Sequence, residues 1–475
     1  MKPSVTFPVF AAAATLVACS GLGNTPREQQ HAGIVDHTPV VFVAGVTGTK
    51  LQDPQRKTLT WGGVRQLLRP RDGGYNLVLP LAVAEGGGDE SPGLPQTRYD
   101  AIGPIWQLRF PGWTKEIYRP LRERFEEAGY RLGDLASPQS TGNLFFFDYD
   151  WRYGNLHSVR RLDRQLAALS EARNGTEVDL VCQSNAAKIC RWLAKYGTLD
   201  PDEVEAGAVF QRSYRIRKLA LAGVSNGGAL RVLQLLIQGR SYIPLVGRRF
   251  HPETFFSIRP LFEDLPAHRD DLFFDENGET LNVDLFDAHN WLKYGWSIFG
   301  RDAVARLQRK PRSDLFGDRQ QQLDYLGRQL EHSRRFQGLL ARDADRFPAV
   351  RYFLLENDSA PTIDRALLTR RNGEWQTWFS GDRRVDRDPA LENLAAAPGD
   401  GHAVLASQRS LSPQESAALA ATVKVDGGHF EAVIQPQALD AILAFLTEPV
   451  ATGISIERSD QLPVVRRSSP GQARL

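Results

Sequence analysis

Two serines in this chain stand where a nucleophile could be made. Ser225 lies in Gly223-Val224-Ser225-Asn226-Gly227, a full match to the G-x-S-x-G pattern, and Ser184 lies in the quieter Cys182-Gln183-Ser184-Asn185-Ala186. Each follows an apolar run, at residues 219–222 and 178–181, and each precedes a helix-like stretch. A strand, a sharp turn and a helix in that order hold a serine in a strained backbone conformation with its hydroxyl exposed above a sheet. So tight a turn needs small residues two before and two after the serine. Glycines fill those places around Ser225, while Cys182 and Ala186 are the next smallest choices around Ser184. A serine hydroxyl is weak at its free pKa and needs a neighbouring base, usually an imidazole oriented by a carboxylate. Among nine histidines, His429 follows Gly427-Gly428 and precedes an apolar helical pattern (Ala432, Val433, Leu439, Ile442, Leu443, Leu446). His402 competes with it, because it stands two residues from Asp400 in Gly399-Asp400-Gly401. Asp358, just past the apolar run 352–355, is the backup acid to Asp400.

The elements that would carry these residues follow a βα rhythm. Continuous apolar runs at 39–43, 144–147, 178–181, 219–222 and 352–355 read as strands buried on both faces of a parallel sheet. Helical patterns at 117–128 and 159–172 separate them, which implies crossovers and helices on both faces. Residues 62–105, rich in Gly and Pro, read as an excursion before the second helix. Residues 240–345 show no sheet-like run, and a helical pattern spans 320–347. An insertion of that length reads as a cap or lid.

The ends are a different kind of sequence. Lys2 is followed by an apolar stretch at 5–18, too short to span a bilayer as a mature helix. It closes on Leu16-Val17-Ala18-Cys19, which resembles the lipobox of bacterial lipoprotein signal peptides. The resemblance implies a signal peptide at 1–18, cleavage before Cys19 and acylation of its thiol. Residues 19–37 read as a tether and 449–475 as a disordered tail. Ser20 after Cys19 points to an extracytoplasmic protein anchored to the outer membrane and facing the periplasm. Cys182 and Cys190 are expected to be small buried residues packed around a turn, poorly placed to bridge.

In chain order these landmarks resemble the lecithin:cholesterol acyltransferase-like family of α/β-hydrolases, from about residue 38 to 448. Residues 39–51 with Trp61 look like its opening strand and oxyanion loop, and Asp148-Tyr149-Asp150-Trp151-Arg152 contains its Tyr-Asp-Trp-Arg signature. Residues 256–266 resemble a cap segment ending in Leu-Pro, and Gly399-Asp400-Gly401-His402-Ala403-Val404 is similar to the acid loop. The family's elbow comes one helix after its signature; Ser184 lies 33 residues beyond Trp151 and Ser225 lies 74 beyond it. The resemblance therefore assigns the nucleophile to Ser184, the acid to Asp400, the base to His429, and oxyanion donors to the backbone of Asn185 and Thr47. It implies an α/β-hydrolase fold, a mostly parallel sheet with a helical cap at about 240–345.

The implied function is a serine-dependent lipid acyl hydrolase or acyltransferase, with an acyl-enzyme on Ser184 and a lipid or phospholipid ester as substrate. The altered letters at the elbow leave a second reading, a catalytically decayed lipoprotein that binds lipid or a protein partner. No cofactor or metal is expected: neither G-x-x-x-x-G-K-[ST] nor H-E-x-x-H occurs, and no His stands at ligand spacing from the cysteines. A net charge of +2 with 24% charged residues makes no case for nucleic acid.

Overall fold

A computed structural model describes residues 38–81, 99–110, 112–137, 139, 141–243 and 245–449. The signal segment, Cys19, the tether and all but the first residue of the tail lie outside the described residues.

Six strands form one parallel sheet: β1 Val40–Val43, β2 Leu144–Phe146, β3 Glu177–Gln183, β4 Arg215–Ala222, β5 Arg351–Glu356 and β6 Leu419–Lys424. Their spatial order is β2-β1-β3-β4-β5-β6. Every residue of β1 is buried, as the continuous run of Val and Phe requires for a strand covered on both faces. The chain steps outward from β1 to β2, then returns past β1 to reach β3, pairing Val41 with Phe145 on one side and Leu180 on the other. Opposite steps with right-handed connections send their helices to opposite faces. The helix between β1 and β2, α1 (Arg119–Glu127), therefore lies across the sheet from α2 (Asn155–Ala172), and α3 (Ala186–Tyr196) packs beside α2. After β4 the chain forms α4 (Leu230–Gln238), then α5 (Arg319–Ala341), and ends in α6 (Pro436–Thr447). The last lies beside α1, where Arg124 donates to Asp440 at 2.7 Å. At such a reversal the carboxyl ends of β1 and β3 open a crevice, the place where ligands bind in α/β sheets.

The strand β6 was not foreseen. Its Leu-Ala-Ala-Thr-Val-Lys sequence forms an exposed edge, where no apolar run is demanded. Helix α5 ends at Ala341 and not at 347, because α3 caps it. Tyr196 Oη donates to the Leu339 carbonyl at 2.8 Å, Lys195 Nζ donates to Leu340 at 2.9 Å and also to Arg342, taking up the orphan carbonyls of the last turn. The stretch 240–345 is mainly helical, but the expectation of no strand in it needs correction. Phe273–Phe274 and Thr280–Leu281 join Ala366–Arg371 and Glu374–Trp378 in a second, four-stranded sheet. Two-residue strands are too short to show alternation in a sequence.

Helix α3 is buried along its whole length; Lys188 and Arg191 are ion-paired inside the protein, and Lys195 donates to backbone carbonyls. Arg191 makes a two-pronged contact with Glu415 at 2.8 and 2.6 Å, both side chains at most 1% exposed. Removing one partner of such a pair strands the other charge, so Arg191→Met should cost about 3–5 kcal/mol in denaturant unfolding. A loss below about 1 kcal/mol would show that Glu415 finds another partner or takes up a proton at no cost.

Candidate active site

The elbow follows from how β3 ends. Gln183 is the last residue of the strand, Ser184 turns with φ 59°, and α3 begins at Ala186. The Ser184 amide donates to the Gly223 carbonyl at 2.9 Å, so the turn is braced on the end of β4, and the Ala187 amide donates back to Ser184 at 3.0 Å. A positive φ at a residue with a side chain costs about 1–2 kcal/mol and persists only where the surroundings impose it. Here they do so covalently. Cys182 and Cys190 form a disulfide with 6.6 Å between their Cα atoms, which corrects the expectation that they were poorly placed to bridge. The sharp turn folds the second turn of α3 back over the strand end, and that brings the two cysteines together. In the chain-entropy account, closing so short a loop contributes about 2.5 kcal/mol.

The loop after β1 presses against this turn. A methyl group on Gly45 would lie 2.6 Å from Ser184 Cβ and 3.1 Å from its hydroxyl oxygen. Three aromatic donors pin the loop's carbonyls: Tyr149 Oη to Ala44 at 2.6 Å, Trp61 Nε1 to Thr47 at 2.9 Å and Trp151 Nε1 to Thr49 at 3.1 Å. The Tyr-Asp-Trp-Arg signature thus acts locally as a brace on the opening loop. Thr47 takes φ 72°, so two residues with side chains hold left-handed conformations where the ends of β1 and β3 meet. Asn185 keeps its side chain away from the site, exchanging amide hydrogen bonds with Asn155 at 2.7 and 3.2 Å. Its backbone N–H opens α3, where the helix dipole favours negative charge. Gly45→Ala should therefore lower kcat about a hundredfold, the cost of displacing a reacting group by about 1 Å. The overpacking should also destabilise by about 1–3 kcal/mol, and a variant with unchanged kcat would show that the loop yields.

The structure brings Ser184, His429 and Asp400 into one line. Ser184 Oγ lies 2.9 Å from His429 Nε2, and His429 Nδ1 lies 2.7 Å from Asp400 Oδ2. The three residues are at most 9% exposed. The other oxygen of Asp400 accepts the amides of His402 and Ala403, each at 2.8 Å, which fixes the carboxylate. Burial alone would raise its pKa; the charge and hydrogen bond of His429, the His402 charge and the Ala403 amide outweigh that and hold it at about 2. For His429 burial works against the charged ring, yet the adjoining Asp400 carboxylate wins and its pKa is raised.

Ser225 does other work. Fully buried, it donates to Asp264 Oδ1 at 2.6 Å, and the Lys188 ammonium from the first turn of α3 reaches the same oxygen at 2.6 Å. This serine anchors a buried ion pair and does not face His429. His402 packs against His429 with ring centroids 4.4 Å apart and the rings tilted by 35°, and its Nε2 lies 3.5 Å from Asp264. Burial and the His429 charge lower the pKa of His402. Asp358 pairs with Lys424 at 2.7 Å on the edge of the sheet. Sequence reasoning missed the disulfide, the Lys188–Asp264 pair and the contact that requires glycine at position 45. The first could have been sought from the presence of two cysteines around one turn; nothing in the sequence marks the other two.

No protein-family model and no curated protein matches this chain. Solved structures do. A chain of the Tle4–Tli4 complex is similar over 86% of this chain and 98% of its own, at 12% identity and a TM-score of 0.51. EstA from Clostridium botulinum is similar over 90% of each chain at 12% identity, but its TM-score of 0.32 carries no argument. The likeness of the first is one of fold, and with the sheet order described above it makes this chain an α/β-hydrolase fold with a mostly helical cap.

Proposed function

We propose that this chain is a serine-dependent acyl hydrolase or acyltransferase of lipid esters, a member of the lecithin:cholesterol acyltransferase-like family. The observation that carries the reading is the continuous hydrogen-bonded line from Ser184 through His429 to Asp400. Ser184 Oγ attacks the ester carbonyl as its proton passes to His429 Nε2, and Asp400 stabilises the imidazolium that forms. The backbone N–H groups of Asn185 and Thr47 receive the oxyanion. His429 then returns its proton to the departing alcohol, leaving an acyl group on Ser184. Water or an acceptor alcohol enters by the reverse of these steps, so hydrolysis and transfer share the same first half.

The surface beside the site supports a lipid substrate. Phe430, 37% exposed, follows His429 directly, and Lys115 pairs with Glu431 to tie in a hairpin, Gln107–Phe110 and Trp113–Glu116. At its tip Trp113, 55% exposed, stacks on Phe110 with centroids 4.2 Å apart. Aromatic side chains of this kind suit a boundary between water and lipid. Acylation at Cys19 would keep the enzyme at a membrane surface, on the outer membrane facing the periplasm. The altered letters Cys182, Gln183 and Ala186 were the feature favouring a decayed lipid-binding chain; the aligned triad favours the enzyme.

Membranes of cells carrying wild-type protein and Ser184→Ala should differ in their lipid esters, with substrate accumulating in the variant. Identical lipid profiles, together with no turnover of vesicle phospholipid by pure protein, would reject the reading. The pH profile adds a second check. His429 must be neutral to accept the serine proton, and its pKa is raised. Activity should fall on the acid side through one ionisation whose midpoint lies above the ordinary imidazole value of about 6.5. A midpoint below that value would contradict it.

A further inference from the structure

The disulfide among the described residues joins Cys182 to Cys190 across the turn that carries Ser184. We propose that this bond is a clamp on the elbow. Cys182 and Cys190 are positioning residues that hold Ser184 in line with His429, so acyl transfer depends on the oxidised pair. The inference rests on Ser184 being the nucleophile, as proposed above.

Three observations place the bond in this role. First, Cys182 is fixed inside the sheet, paired with Val43 on one side and Leu221 on the other, while Cys190 rides on α3. The bond therefore joins the strand to the helical side of the turn, with Ser184 and its φ of 59° inside the loop it closes. Second, Asn185 at the start of α3 makes no side-chain capping hydrogen bond, so the first turn of the helix lacks the usual polar restraint. Third, a tight elbow wants its smallest residue two places before the serine so that the helix can lie against the strand. Here that place holds a side chain, fully buried, and bridging to Cys190 is how it fits. Without the bond a free thiol occupies the space, and the left-handed serine loses the restraint that keeps it from relaxing.

Such a bond forms in an oxidising compartment, the kind of compartment expected from the signal segment read at residues 1–18. A dithiol reductant opens it by thiol–disulfide exchange: the protein gains two thiols and the reagent closes to its own disulfide, two electrons and two protons passing between them. Both sulfurs are buried, so the reductant has to be present during folding to reach them.

The test compares three preparations of the full mature chain: oxidised wild type, wild type refolded with dithiothreitol, and Cys182→Ala/Cys190→Ala. Two readouts are taken: hydrogen–deuterium exchange at the amides of Ser184 and Ala187, and the rate of labelling by a fluorophosphonate. The unbridged forms should exchange at least tenfold faster at those two amides while β3 amides such as Leu180 stay protected. Labelling should slow at least tenfold, with KM for a soluble ester unchanged. A second round of unfolding and refolding with oxidised glutathione should restore both readouts in the reduced wild type and neither in the double variant. Equal exchange at the elbow in all three preparations would overturn the proposal. So would equal loss of protection over the whole sheet, which would make the bond a staple of the fold. Exchange decides the clamp without any activity, so absence of labelling in every preparation would reject Ser184 as nucleophile and leave the clamp to be judged by the amides.

Discussion

Ser184→Ala should reduce kcat/KM for an ester on the order of 10⁴- to 10⁶-fold, the range seen when a triad nucleophile is removed, with no change in fold. Its hydroxyl meets the imidazole at 2.9 Å and makes no other side-chain hydrogen bond among the described residues. Ser225→Ala is the informative control. That hydroxyl is committed to the Asp264 carboxylate at 2.6 Å in a fully buried place. Its loss should cost about 1.5–3 kcal/mol, as for a hydrogen bond to a charged partner, and leave kcat within a few-fold. Urea unfolding and ester turnover on the same two proteins separate the roles. If Ser225→Ala kills activity at full stability while Ser184→Ala does not, the assignment is reversed.

Asp400→Asn carries the second large effect. The carboxylate accepts the His429 Nδ1–H at 2.7 Å, and this keeps Nε2 free to take the serine proton. An amide in the same place can offer an N–H to Nδ1 and turn the ring to the wrong tautomer, which costs about 10⁴-fold in a serine triad. The change also removes the charge that raises the His429 pKa. Residual activity should therefore show its acid limb at lower pH than wild type. A variant that keeps a tenth of wild-type kcat would mean that His429 is oriented by something else, such as His402, whose ring packs on it, or Asp264, whose charge it feels.

Much of the sheet could be read from the chain because strands buried on both faces must be continuously apolar. The runs at 39–43, 144–147, 178–181, 219–222 and 352–355 all fall on strands of the six-stranded sheet, within a residue of the observed ends for three of them. Glu177 and Arg215 extend β3 and β4 beyond their apolar runs, since the outer end of a strand can carry charge. The edge strand at 419–424 and the paired segments near 273 and 280 gave no such signal. The line of Ser184, Asp400 and His429 was expected from the order of landmarks in the family that the chain resembles, since the fuller pattern of small residues lies around Ser225. What was hidden depends on three-dimensional closeness between distant or sharply turned segments. Lys188 finds Asp264 only after the cap folds over α3, and Cys182 meets Cys190 only after the elbow reverses the chain. The perfect pattern around Ser225 misleads because its glycines serve the chain's path. Gly223, with φ 55°, passes 3.0 Å (measured from where a Cβ would lie) from the His429 carbonyl, and Gly228, with φ 83°, would meet the Leu265 carbonyl.

The most direct measurement is to trap the acyl-enzyme. The protein is mixed with an activated ester, quenched in acid and digested with trypsin, which separates the peptides of Ser184 and Ser225. The account predicts a single acyl adduct on Ser184, absent in His429→Ala. An adduct on Ser225, or an adduct on Ser184 that persists undiminished without the imidazole, would contradict it.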